Sequence, residues 1–390
     1  MLKAKELSPV PVGRKLRWGE WSRKLSFARR EPSPHTRRAM TLEEIFSLSN
    51  LYAAHRAAKR CKRGKEEVIK YELNLAYNLC RARERAKSYR PGKYKEFTVY
   101  EPKERLIQAL HYSDRVVQHA LCDNLLAPYL ETRLIEDNVA CRKGKGTHYG
   151  LKRLTEHLRR HFSHFDNKGW CLKVDVRKYF ASIDHEVLKG MLARERFDPD
   201  VLQLMFRVID SYNKDEGVGL PIGNQTSQNF ALLYLDKLDR FVKERARVKG
   251  YVRYMDDMIL LHEDREKLRQ TLHGMEQIAR RDLKLEFNEK TQITPLRNGI
   301  DFLGWHFSLT KTGKVIRRLR QASKRRIFAR MTKLRKDYSR GLVTVEQKDA
   351  SIASIMGHLG HGNAHKLLCE ILKRAVFQRN SGEEICETED

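Results

Sequence analysis

The sequence predicts an α+β fold, and three observations carry that expectation. Apolar runs of strand length occur at Cys171–Val176 and on both sides of Asp256-Asp257, between Tyr251 and Leu261. Longer segments with apolar residues at helical spacing accompany them, such as Leu268, Leu272, Met275 and Ala279. The chain has 390 residues, 41% of them hydrophobic, enough for a sizeable core spread over about two to three structural units.

The elements follow in order. Residues 1–40 form a basic N-terminal extension, with Trp18 and Trp21 among the Lys and Arg and prolines at 9, 11, 32 and 34. Such an arm is either a solvated tail or a segment ordered on RNA or a partner. Thr41-Leu-Glu-Glu44 is a capping box that starts a helix, with Ile45, Leu48 and Tyr52 at helical spacing. Residues 66–88 continue as helix, with Val68, Leu75 and Leu79 on one stripe, until Arg90-Pro91-Gly92. Phe97–Tyr100 and the run from Arg105 form two strands about a Pro turn, and Ser113–Leu126 is an apolar helix.

Lys143-Gly-Lys-Gly-Thr147 reads as a basic loop with Thr147 capping the next helix; it lacks the spacing of a P-loop. Cys171–Val176 is a buried strand that carries an acid, Asp175. A Gly-rich loop at Gly217–Gly223 leads into a helix over Ser227–Phe241, and Tyr251–Leu261 forms a hairpin with Asp256 and Asp257 at its tip. Leu283, Leu285 and Phe287 alternate as a strand, and Phe302–Phe307 is another. Lys311–Arg340 holds 13 Lys/Arg and one acid, with Ile327, Met331 and Leu334 as its apolar stripe; five acids crowd the last ten residues.

Charge and composition bound the function. Lys and Arg total 78 against 50 Asp and Glu, a formal +28, which calls for a polyanionic partner, most simply nucleic acid. No apolar run approaches the length of a membrane span, so no membrane role is expected. The seven cysteines are scattered with no CxxC pair, which argues against a disulfide scaffold or a Cys-based zinc site and for a reduced, cytoplasmic protein. The 15 histidines form no HExxH array, none is assigned to a metal, and most are expected at the surface or facing RNA.

The chemistry rests on Asp175, Asp256 and Asp257. A carboxylate at the end of a buried strand is costly unless a hard cation compensates it. Acids converging from two strands could hold two metal ions for in-line phosphoryl transfer. A bare Asp-Asp pair also fits a polar hairpin turn, so the flanking residues decide. Arg253, beside the pair, is either a phosphate contact or part of a solvated face.

Those flanks resemble the reverse transcriptases. Tyr254-Met255-Asp256-Asp257 resembles their YxDD box. Gly219-Leu-Pro-Ile-Gly-Asn-Gln-Thr-Ser-Gln228 resembles their loop-helix element, Asp175–Phe180 with Ser182-Ile183-Asp184 their first acid box, and Phe302-Leu-Gly-Trp305 their primer-grip strand. The Ser227-Gln228 ending, Val99–Lys103, Asp114–Leu121 and Ala140-Cys-Arg with Lys145–His148 are similar to the reverse transcriptases of diversity-generating retroelements, over residues 70–370.

The resemblance implies a right-hand polymerase: fingers over 41–165, a ferredoxin-like antiparallel palm over 166–310 with interleaved fingers helices around 186–212, a basic helical thumb over 311–380, and an acidic tail over 381–390. It implies two Mg²⁺ ions on Asp175, Val176, Asp256 and Asp257. It places Lys103, Arg105, Phe180, Ile222, Gln228 and Lys290 at the nucleotide, with Phe180 as the gate against the 2′-OH. Lys290 is the candidate to protonate pyrophosphate, with Lys284 as the alternative register. Arg317, Arg318, Arg320, Lys324, Arg325 and Arg326 would contact nucleic acid. The implied function is RNA-directed DNA synthesis that copies a template-repeat RNA with errors at adenines. The implied partners are that RNA, the RNA/cDNA duplex, deoxynucleoside triphosphates and a basic oligomeric accessory protein. Alternatives are an antiphage-defence reverse transcriptase, an intron-type maturase, or a non-catalytic RNA-binding scaffold.

Overall fold

The computed structural model describes residues 39–100, 103–212 and 216–374. The extension over residues 1–40, apart from its last two residues, and the acidic tail lie outside the described residues. The chain divides into two compact units: Met1–Tyr129 with Phe180–Phe230, and Leu130–Tyr179 with Ala231–Asp390. No helix among the described residues is long and apolar enough to cross a membrane.

The first unit is mainly helical. Thr41 forms the expected capping box, but that helix stops at Ile45, and Ser47 caps a new one over Leu48–Ala58. The break rotates the apolar face. Ile45, Leu51, Ala54 and His55 are buried, whereas Leu48 and Tyr52 are exposed. His55 sits between Tyr71, stacked at 5.6 Å, and Tyr112, whose hydroxyl lies 3.0 Å from Nδ1. His157, His161 and His185 are also buried, each against a polar partner. These four are exceptions to the placement expected of most histidines; a polar partner on the ring lowers the cost of burying it.

Strands β1 (Lys95–Val99) and β2 (Arg105–Ala109) form an antiparallel hairpin, Val99 opposite Arg105. The Pro221-Ile222-Gly223 loop closes on β2: the Gln108 amide donates to the Ile222 carbonyl at 2.8 Å. Gly223, at φ +122°, would bring a Cβ to 2.9 Å from Ile107, so this approach requires glycine.

The second unit is built on a four-stranded antiparallel sheet of β3 (Trp170–Val174), β4 (Gly250–Tyr254), β5 (Asp257–His262) and β6 (Gln292–Pro295), in the order β4-β5-β3-β6. With a helix over Arg265–Leu283 between β5 and β6, this is the ferredoxin-like order. Strand alternation puts Cys171, Val252, Ile259 and Leu261 in one cluster with Leu151, Leu154 and Leu158 of the helix Thr147–Phe165. Leu172, Val174, Tyr251, Met258 and Leu260 face the other way and are buried too, which explains the unbroken apolar runs.

Three expectations change here. Thr147 does not cap its helix; Gly146 holds the cap position without a side-chain bond. Leu283–Phe287 is not a strand: Leu283 ends a helix, Lys284 follows at φ +51°, and the edge strand is β6. Phe302–Phe307 is a hairpin of β7 (Ile300–Phe302) and β8 (Trp305–Leu309) about Leu303-Gly304, both at positive φ, as a two-residue turn demands.

Strand β9 (Val315–Leu319) completes a second antiparallel sheet with β7 and β8. Arg317 and Arg318 therefore lie on a strand, and the helical part of the basic segment begins at Gln321. Met331 and Leu334 are buried on its expected stripe. Helices Val345–Leu359 and His365–Arg374 follow, and Trp305 is fully buried in the shared core.

Candidate active site

The sheet register brings the three acids together. Val174 pairs with Met258, so Asp175 and Asp257, one step further along each strand, emerge at the same end of the sheet. Tyr254 pairs with Asp257, leaving Met255 and Asp256 as the turn, with Met255 at φ +53°. The Asp175 carbonyl accepts from the Asn288 amide at 2.7 Å.

Asp257 shows the electrostatics of the cluster. Burial, followed by the nearby charges of Asp175 and Asp256, pushes its carboxyl up to about 6; Lys173 opposes this. Lys173 Nζ lies 3.5 Å from Asp257 Oδ1 but spends its short hydrogen bond, 2.7 Å, on the Asp301 carbonyl. Asp257 Oδ1 is buried with no hydrogen-bond partner. An orphaned, partly neutralised carboxylate oxygen beside two further acids suits a hard divalent cation with oxygen ligands. Among the described residues no group of three or more His, Cys, Asp or Glu side chains is by itself placed to hold a metal ion. Val176 is buried and apolar, so only its backbone carbonyl could serve a metal.

Arg253 is neither a phosphate contact nor a solvated side chain. It is fully buried and forked onto Asp239, itself fully buried: Nε to Oδ1 at 2.7 Å and Nη2 to Oδ2 at 2.6 Å. The Asp239 charge outweighs burial and holds the guanidinium protonated. Sequence reasoning missed Asp239, which sits in the charged segment Asp236-Lys-Leu-Asp-Arg240 and looks like any exposed helical acid. It missed Lys173 as well, although a lysine inside the apolar run Cys171–Val174 was a signal that something acidic lay beside it.

The other expected residues divide between the units. In the first, Lys103 and Arg105 are exposed at the β1–β2 hairpin. Phe180 is half-buried in a turn over Tyr179–Ser182, its carbonyl accepting from Leu220 at 2.7 Å. Ile222 is half-buried and Gln228 is exposed on the helix Gln225–Tyr234. In the second, Lys290 is exposed just before β6. Arg317, half-buried on β9, is lowered from its ordinary value by burial and by Arg159, and Arg318 is exposed beside it. Arg320 pairs with Asp301 at 3.0 Å. Lys324 and Arg325 line a cleft of about 410 Å³ with Phe328 and Lys366, and Arg326 is exposed.

Comparison with known proteins gives this geometry its context. Residues 95–307 match the family model described as reverse transcriptase (RNA-dependent DNA polymerase). The group II intron-encoded protein LtrA of Lactococcus lactis subsp. cremoris is 23% identical over 195 residues, covering 47% of this chain and 31% of LtrA. An uncharacterized 91 kDa protein in the cob intron of Schizosaccharomyces pombe is 25% identical over 158 residues, covering 39% of this chain and 17% of that protein. The chain thus spans less than a third of the length of these relatives. Among solved structures, telomerase from Candida albicans, in complex with a fragment of telomeric RNA, aligns at 14% identity and TM-score 0.44 over 74% of this chain and 56% of that one. Apo telomerase from Candida tropicalis aligns at 14% and 0.43 over 58% and 55%. The family match covers more than half of the chain, including both acid-bearing segments and the Gly219–Gln228 loop, and the chain belongs to the reverse transcriptase (RNA-dependent DNA polymerase) family, with its α+β right-hand polymerase fold.

Proposed function

We propose that this protein is an RNA-directed DNA polymerase whose catalytic carboxylates are Asp175, Asp256 and Asp257. The observation that carries the reading is the register of β3, β4 and β5, which delivers three acids to one sheet end in a member of this family. These side chains, with the Val176 carbonyl, would hold two Mg²⁺ ions, which when bound supply charge stabilisation for attack of a primer 3′-OH on the α-phosphate of a deoxynucleotide. In this reading residues 41–165 with the helices around 186–212 are fingers, 166–310 palm and 311–380 thumb. Lys103 and Arg105 hold the triphosphate, Phe180 screens the sugar and Lys290 faces pyrophosphate. Asp256→Ala is expected to abolish Mg²⁺-dependent primer extension while RNA affinity stays within about twofold, since the basic segments are untouched. Retained extension by the purified variant refutes the assignment.

The finer reading is error-prone copying of a template-repeat RNA, in the manner of diversity-generating retroelements, with a basic oligomeric accessory protein as partner. It rests on the Ser227-Gln228 ending and on Ile222, where a Gln could hydrogen-bond the incoming nucleotide or steady Arg105. A lost bond of this kind weakens discrimination severalfold. The similarity to LtrA favours a second reading, an intron-type enzyme. Sequencing the RNA and cDNA that copurify with the protein separates them: substitutions concentrated at template adenines support the first, and faithful copies of a self-splicing intron the second.

A further inference from the structure

The catalytic turn is held from beneath by a buried fork. Arg253 lies two residues before Met255, and besides Asp239 it reaches two carbonyls. Its Nη1 donates to Met255 O at 3.0 Å and its Nη2 to Leu232 O at 3.1 Å. Asp239 Oδ1 also accepts from the Tyr251 hydroxyl at 2.6 Å. The Arg253 backbone is fixed as well: its amide donates to Asp137 O and its carbonyl accepts from Val139 N, both at 2.9 Å.

A buried ion pair of this kind is poor as a mere stabiliser, because apolar residues of similar volume often hold a core as well. What an apolar replacement cannot do is hold the Met255 carbonyl. Met255 is a non-glycine residue at φ +53°, a conformation that persists only where its surroundings enforce it. Asp256 follows it in the turn, and Asp257 opens β5.

We propose that Arg253, oriented by Asp239, is a positioning residue that locks the Tyr254–Asp257 turn and thereby sets the direction of the Asp256 and Asp257 carboxylates. The fork touches neither nucleotide nor nucleic acid; it acts through the turn. This inference rests on the polymerase reading above, and wild-type primer extension tests that reading first: a wild-type protein without incorporation refutes the polymerase, not the fork.

The test compares Arg253→Lys with the double variant Arg253→Met/Asp239→Leu in the full chain. Lys keeps the buried charge beside Asp239 without the fork, and the double variant removes the charges together. Thermal midpoint, kcat, KM for deoxynucleotide, and Mn²⁺ binding followed by EPR are measured for each. The expected result is a folded protein whose kcat falls about 10–100-fold and whose Mn²⁺ binding weakens, with KM near wild type, as for residues that orient metal ligands. A folded variant with wild-type kcat and Mn²⁺ affinity overturns the proposal whatever its thermal midpoint, because the pair would then be at most structural. If the double variant does not fold, Arg253→Lys gives the same decision.

Discussion

At the scale of single residues, Asp257 carries stability and chemistry in opposition. Its carboxyl stands at about 6 against an ordinary 3.8. Folding therefore favours the protonated form: the stability this group contributes is full below its unfolded value and is lost as pH rises through about 6. In metal-free buffer at pH 8, Asp257→Asn is expected to raise the thermal midpoint by relieving at most about 3 kcal/mol, with roughly half that gain at pH 5, while nucleotide incorporation disappears. Scanning calorimetry at the two pH values checks this; an unchanged midpoint at pH 8 would mean that neither burial nor the neighbouring acids penalise the Asp257 charge. The meeting of the three acids at one sheet end was legible only through the motifs that flank them, since a bare Asp-Asp pair fits a polar turn as well. Arg253 and Asp239 were not, because burial of a charge pair depends on two segments meeting, and each segment alone looks solvated.

At the scale of elements, strong periodicity was legible and weak edges were not. The helix over Arg265–Leu283 buries Leu268, Met275 and Ala279 from the expected stripe. Strand β6 escaped because Gln-Ile-Thr-Pro has one aliphatic side chain, and a proline is tolerated there only at a strand end on the sheet edge. The apparent strand at Leu283–Phe287 arose from a helix terminus followed by a loop that buries Leu285 and exposes Lys284 and Glu286, which mimics a period of two. Strand β9 was hidden among arginines, since only Val315 and Leu319 of its five residues are buried. Its neighbour β8 and the turn between the last two helices meet tightly at one point: a Cβ on Gly362 would collide with the Trp305 ring. Gly362→Ala is thus expected to cost about 1–3 kcal/mol, read as a lower midpoint in urea unfolding. A neutral result would show that Trp305 can repack.

At the scale of the molecule, the sequence charge of +28 makes the salt response of RNA binding a test of the proposed function. Each phosphate neutralised on a single strand adds about −0.7 to the log–log slope of affinity against salt. Replacing Arg317, Arg318 and Arg320 with glutamine is expected to flatten that slope by about 1–2 units in filter binding, with Arg320 contributing least because Asp301 already engages it. An unchanged slope would place this basic surface away from the nucleic acid. The α+β class and the antiparallel sheet bearing the acids were legible from strand runs and motif order. Residues Phe180–Phe230, which interrupt the sheet in sequence, belong to the other compact unit.

That interruption has a kinetic side. Val174 finds its partner Met258 only after a loop of about 80 residues is closed, and β6 pairs with β3 from further along still. Local hairpins and helices form in microseconds, whereas pairings this distant are slow. During synthesis, β3 must leave the ribosome and wait, unpaired and apolar, until β5 follows it out. The step that completes the sheet is also the step that brings Asp175 beside Asp256 and Asp257. A nascent chain therefore exposes Asp175 well before Asp256 and Asp257 exist to join it, and the basic segment Lys311–Arg340 emerges only after all three.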